Sequence, residues 1–307
     1  MPVSKGPPHG PLKGFSRFQE RRSLANIGAA FRRTPQPVMP GRISMLLTCD
    51  VEVGPSGSVQ DAKKRTDRLV SFLKGYGPGT MFLDAGLVEG GKPWDLGDSE
   101  IGSHGYLHIP VGDDWWVKRD TRPMGADDVI KRSHDIIKDV YGVGPRAFRA
   151  PKFSISKSGL NTLRNVGFSI DSSMPPYNPT LLPFRLSEQG KGAGSKEGAG
   201  SSRGLVEVPV SRMPRPNIRP LPLPHLRYDS LMMGLLNDYG PDHLVDIAKD
   251  ILSYWHGQKD PMLCFLCHPW EIDEHSLLNL DRFLKTLEKE TKIDYISMSD
   301  YVKKAKI

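Results

Sequence analysis

His104-Gly105-Tyr106-Leu107-His108 sets two imidazoles four positions apart. On one face of a helical turn, that spacing lets both reach a single divalent ion at about 2.0–2.1 Å. An isolated pair of this kind is more often two unrelated histidines. Here it follows Ile101-Gly102-Ser103, which reads as the end of a strand, and that position favours a site. Two histidines still need an anionic ligand, and Asp50-Val51-Glu52 offers two carboxylates at the end of an earlier apolar run. Residues i and i+2 of extended backbone project to the same side, so one carboxylate can bind the metal while the other takes a proton from its water. Alone, the acidic pair would be read as a cap on the next element.

Three further strand ends carry polar chemistry. Arg149-Ala150-Pro151 brings a guanidinium that can orient a carboxylate and hold it ionised, with a surface salt bridge as the plain alternative. Asp171-Ser172-Ser173 ends another run, where an aspartate is also a common turn former. Leu263-Cys264-Phe265-Leu266-Cys267 leads straight into His268-Pro269-Trp270, which puts a histidine at the rim of the core, suited to a general acid. The same residues match the C-x-x-C-H pattern of haem attachment. We reject haem, because both cysteines fall in a buried strand where positions i and i+3 face opposite sides. Trp270 and Tyr106 stand beside these residues and can either stack on a sugar ring or simply pack.

Strand and helix signals alternate along the chain that must position these groups. Strands are expected at 43–49, 79–83, 101–104, 147–149, 168–171, 262–267 and 293–296. Helices are expected at 61–74, 126–140, 158–166, 228–238, 242–256 and 276–290, with a last one from Ser299. This order predicts an α/β fold with parallel strands, and the polar residues gather at the strands' C-terminal ends, where such folds carry their sites.

The chain has 307 residues, of which 31 are Gly and 27 are Pro, a composition rich in turns. Its net charge of +7 is localised: residues 1–42 hold eight Lys and Arg against Glu20 alone, and the remainder is balanced. Residues 1–41 therefore read as a flexible basic N-terminal arm, able to contact anionic surfaces by salt-sensitive electrostatics without specific nucleic-acid recognition. Residues 42–307 read as one catalytic domain with a Gly/Ser- and Pro-rich insert near 187–225. Three cysteines, Cys49, Cys264 and Cys267, make no disulfide framework. With no apolar run long enough for a transmembrane segment and no secretory signal, a cytoplasmic location is expected.

Taken in order, these segments resemble the polysaccharide deacetylase (NodB-homology, carbohydrate esterase family four-like) family over about residues 43–302. Its T-F-D-D motif corresponds to Thr48-Cys49-Asp50-Val51-Glu52, its H-S/T-x-x-H to His104 through His108, and its R-x-P to Arg149-Ala150-Pro151. Its late strand ending in histidine corresponds to Cys267-His268, and its terminal strand and helix to Ile296 through Tyr301. Val51 separates the acidic pair and Gly105 replaces the usual Ser or Thr. Both features look more like the branch of intracellular peptidoglycan-deacetylase-like and allantoinase-like proteins.

The resemblance implies an irregular (β/α) barrel of about seven parallel strands. It also implies that Glu52, His104 and His108 hold Zn²⁺, or Co²⁺, Mn²⁺ or Ni²⁺ in its place. Asp50, steadied by Arg149, would be the general base, and His268, kept protonated by Asp171, the general acid. The implied reaction is removal of acetyl groups from an N-acetylated sugar or glycan. The alternatives are cyclic amide hydrolysis of the allantoinase type, or a binding protein that kept the barrel and lost the chemistry.

Overall fold

A computed structural model describes residues 39–54, 57–112, 124–174, 182–186, 204–212, 230–253, 255 and 258–307. The first strand, β1 (Arg42–Val51), is the spine of the molecule, and every residue from Ile43 onward is buried. Fully burying side chains such as Met45 and Leu46 contributes roughly 1.5–3 kcal/mol each, which explains why this apolar run holds the centre of a sheet.

Helix α1 (Val59–Leu73) starts where the Ser58 hydroxyl accepts the Asp61 N–H and buries Ala62, Thr66, Leu69, Val70 and Leu73, one stripe at helical spacing. Strands β2 (Thr80–Leu83) and β3 (Glu100–Ser103) follow. Helix α2 (Ala126–Tyr141) opens with Asp127 and Asp128 and ends at Gly142 in the left-handed conformation, which favours glycine. Next come β4 (Ala147–Phe148), α3 (Lys157–Val166), β5 (Ile170–Asp171), β6 (Phe184–Arg185) and β7 (Val206–Glu207). The chain closes with α4 (Met233–Tyr239), α5 (Pro241–Ser253), β8 (Met262–Cys267), α6 (Glu274–Glu288), β9 (Lys292–Tyr295) and α7 (Met298–Ala305).

The strands form one sheet in the order β6-β7-β5-β4-β3-β2-β1-β8, parallel except for β6 against β7. β1 is long enough to serve two neighbours along one edge: Arg42 through Met45 pair with β9, and Thr48 through Val51 pair with β2. Its other edge pairs with β8 from Ser44 to Cys49. The far edge of β8 is met irregularly. Ser211, shortly after β7, donates its N–H to the Cys264 carbonyl (3.0 Å), and the Leu266 N–H reaches the Leu231 carbonyl (3.0 Å). These bonds close the sheet toward a barrel without a regular final strand pair.

The α/β barrel-like architecture expected from the sequence is thus present, with eight parallel strands among the described residues where about seven were expected. Two expectations change. The insert near 187–225 is not all insert: Leu205, Val206, Val208 and Val210 are buried and carry β7, because the barrel needs this segment to reach β8. Residues 187–203 and 213–225 lie outside the described residues. The helix expected from residue 228 begins only at Met233, since Ser230 and Met232 form bridges with Arg212 and Leu266. The basic arm also lies outside the described residues up to position 38, while Gly41 is tied to the body by the Lys292 N–H on its carbonyl. No helix among the described residues is long and apolar enough to cross a membrane.

Candidate metal centre

Parallel strands send their carboxyl ends to one edge of the sheet. Asp50 and Glu52 stand at the end of β1, His104 directly after β3, Arg149 after β4, Asp171 at the end of β5 and His268 directly after β8. Groups far apart in sequence therefore meet.

Glu52, His104 and His108 each present a ligand atom, all within 4.8 Å of one another. Glu52 Oε2 lies 2.6 Å from His108 Nε2 and 3.8 Å from His104 Nε2. Glu52 and His104 are buried and His108 is half-buried. His104 Nδ1 lies 2.9 Å from the Arg149 carbonyl oxygen, which can only accept. The ring proton therefore sits on Nδ1, and the Nε2 lone pair faces Glu52. Burial lowers the His104 pKa despite the opposing charges of Asp50 and Glu52, which keeps the imidazole neutral, the form that binds metals.

The turn that delivers the two histidines is not the helical turn expected from their spacing. Gly105, Leu107 and His108 all have positive φ, at 76°, 51° and 51°. For Leu107 and His108 this left-handed backbone costs of order 1–3 kcal/mol each, so the surroundings must impose it. The His104 N–H donates to the Leu83 carbonyl and the Ala85 N–H to the Gly105 carbonyl. Asp84, buried at the end of β2, accepts the Leu107 N–H (2.8 Å) and the Gly86 N–H (3.0 Å) on Oδ1. Burial raises the Asp84 pKa, against these two N–H groups and the nearby His104 and His108.

Arg149 is entirely buried, so the surface salt bridge considered for it does not apply. Its Nη1 donates to Asp50 Oδ1 at 2.8 Å and to Thr48 Oγ1 at 3.0 Å, and its Nη2 donates to Ser172 Oγ at 2.9 Å. Its guanidinium also lies 4.2 Å from the centre of the Phe82 ring. Burial works to raise the Asp50 pKa, but Arg149 first, then His104 and His268, outweigh it and hold the carboxyl below 3.8.

His268 has a different partner from the one expected. Its Nδ1 lies 2.9 Å from Glu271 Oε2, and the same oxygen accepts the His268 backbone N–H at 2.9 Å. Burial alone would lower the His268 pKa; the hydrogen bond and charge of Glu271, with Asp50 and Glu52, overcome it and raise the pKa. Asp171 is committed elsewhere. It accepts the Ser173 hydroxyl and stands beside Glu207, its register partner on β7, and burial raises the pKa of both carboxyls. The reason is topological: Glu271 is three residues from His268 in the same short turn, whereas Asp171 sits within the β5–β7 pairing.

The two aromatic candidates are engaged with protein. Trp270 stacks on the His268 ring, with centroids 4.4 Å apart and planes 19° apart, and remains partly exposed. A Cβ on Gly54 would come within 2.8 Å of the indole, so glycine is what lets the backbone approach there. Tyr106 is 7% exposed, donates its hydroxyl to Glu89 at 2.7 Å and has the Arg132 guanidinium 4.5 Å from its ring centre. Within the histidine turn, its ring is buried with Arg132 over it and offers no open platform for a sugar. Cys264 and Cys267 are buried in β8, Cys264 toward Arg149 and Cys267 toward the Thr48 carbonyl, in keeping with the rejection of haem.

Sequence reasoning missed Asp84, Glu271 and Glu207. Asp84 closes a strand, as the recognised residues do. His268-Pro269-Trp270-Glu271 also carries a readable signal, since proline after an N-cap and glutamate at the third position form a capping box. Glu207 had no local signal, because only pairing with β5 gives it a carboxyl neighbour.

No protein-family model and no curated protein matches the chain. Among solved structures, it is similar to a protein of Mycobacterium smegmatis ascribed to the polysaccharide deacetylases, at 17% identity over 89% of this chain and 93% of that one, with a TM-score of 0.54. A family 4 carbohydrate esterase from Streptomyces lividans in complex with acetate matches at 15% identity over 84% and 94% of the two chains, with a TM-score of 0.42. A CE4 family pseudoenzyme from Bacillus anthracis matches at 13% identity over 86% and 66%, with a TM-score of 0.43. The first of these likenesses shows a shared fold.

Proposed function

We propose that the chain is a metal-dependent hydrolase that removes acetyl groups from an N-acetylated sugar or glycan. The observation that carries this reading is the grouping of Glu52, His104 and His108 beside Asp50–Arg149 and His268–Glu271 at one sheet edge. One carboxylate oxygen and two imidazole nitrogens are the donor set of a catalytic zinc site with an open position. The fixed Nδ1 proton of His104 leaves its Nε2 free as a donor, so the residues fit the ion. Zn²⁺ suits these ligands best, with Co²⁺, Mn²⁺ or Ni²⁺ as substitutes.

When bound, such an ion lowers the pKa of a coordinated water toward about 7 and polarises the substrate carbonyl. The chain's own groups manage the protons. Asp50, ionised and pinned by Arg149, accepts the proton of the attacking water, while Glu52 faces the two histidines and serves as the metal carboxylate. His268, kept protonated by Glu271, gives its proton to the departing amine nitrogen as the amide C–N bond breaks. We assign the partly exposed indole of Trp270, beside His268, to contact with the sugar ring.

Metal analysis of purified protein, paired with acetate release from N-acetylated sugars with and without chelator, tests the reading. Chelator-sensitive acetate release supports it. Ring opening of cyclic ureides without acetate release moves the assignment to the cyclic amide hydrolases, and metal-loaded protein inert in both assays makes the chain a binding protein.

A further inference from the structure

We infer that Asp84 is the positioning residue of the metal centre: its carboxylate holds the His104–His108 turn in the left-handed form that aims both imidazoles at Glu52. The inference rests on the metal-site reading above. The turn runs through three positive-φ residues, and Gly105 among them has no side chain with which to brace it. The hold must come from outside, and the chain segment after β2 supplies it. Asp84 Oδ1 takes the Leu107 N–H at 2.8 Å and the Gly86 N–H at 3.0 Å, so one buried oxygen ties the middle of the turn to the start of the next loop. The Ala85 N–H on the Gly105 carbonyl and the His104 N–H on the Leu83 carbonyl complete the brace on the same side.

Position 86 reinforces this. A Cβ there would lie 2.6 Å from Leu107 Cδ2, the end of an exposed side chain, so the Asp84 loop and the turn are in contact at this point. Asp84 makes no hydrogen bond to either imidazole; beyond its charge near them, its hold on the ligands is the backbone it fixes. Groups that orient metal ligands from behind typically change affinity ten- to a hundred-fold when removed.

The test is zinc affinity by chelator competition and the visible spectrum of the cobalt-loaded protein, for wild type, Asp84→Ala and Asp84→Asn. Asn keeps an oxygen in the Oδ1 position and nearly the same shape, so it preserves the brace and the fold even if Ala does not. The expected result is a ten- to hundred-fold loss of zinc affinity and an altered cobalt spectrum for Asp84→Ala, with Asp84→Asn within a few-fold of wild type. Wild-type zinc affinity and cobalt spectrum in Asp84→Ala overturn the inference. An Asp84→Asn variant as weak as Asp84→Ala also overturns it, since charge and not the accepted N–H would then be what matters. Failure of wild-type protein to bind zinc at all is a separate outcome, and it refutes the metal-centre reading itself.

Discussion

The fully buried Arg149 guanidinium donates to the Asp50 carboxylate at 2.8 Å, joining the end of β4 to the end of β1 across the floor of the site. Removing one partner of such a pair leaves an uncompensated buried charge, at a cost of about 3–5 kcal/mol. We expect Arg149→Met to lower the melting temperature sharply in calorimetry. Because Asp50 is held below its ordinary 3.8, its share of stability is complete above that value and is lost as pH falls through the lower folded pKa. Without Arg149, burial works to raise the Asp50 pKa, and a carboxyl so raised costs the native state stability as pH rises.

Metal removal separates site from scaffold. Glu52 and the histidines lie beyond the strand ends, so a chelator is expected to abolish acetate release while leaving the far-ultraviolet circular dichroism unchanged, and added zinc to restore activity. Glu52→Ala and His108→Ala should lose bound metal by elemental analysis. Retention of full metal by both would place the ion elsewhere.

His268→Ala is expected to cut turnover by about 10²–10⁴-fold, the usual contribution of a general acid, at unchanged metal content. Glu271→Gln tests how the acid is kept protonated. Glu271 raises the His268 pKa, so its neutralisation should move the alkaline limb of the kcat/KM profile to lower pH. An unmoved limb would assign that limb to another group.

The buried Asp171–Glu207 pair gives stability its own pH dependence. Burial raises both carboxyls, Asp171 from 3.8 to about 6 and Glu207 well above its ordinary value. A raised folded pKa contributes stability below the unfolded value and loses it as pH rises through the folded one. This pair therefore costs the native state increasingly from about pH 4 upward. Glu207→Gln retains a donor for Asp171 and removes one ionisation, so its melting temperature should fall less than that of wild type between pH 5 and pH 8.

Sequence alone determined the order of strands and helices apart from β6 and β7, and with it the edge where chemistry gathers. The apolar runs at Ile43 and Met262 are buried along their length as central strands, and a polar residue at the end of each lands at the same rim. That logic reached Asp50, Glu52, His104, Arg149 and His268, because each is announced by its own neighbours in the chain. Tertiary structure decided what those neighbours do not encode. The left-handed turn at Leu107 and His108 exists because Asp84, more than twenty residues earlier, takes the Leu107 N–H; helical spacing by itself suggested the wrong turn. Glu271 displaced Asp171 as partner of His268 because β5–β7 pairing had already given Asp171 a second buried carboxyl beside it. Local periodicity reports which face of an element is apolar. Which polar group meets which at a strand end depends on sheet order and register, and these are settled only when distant segments pack.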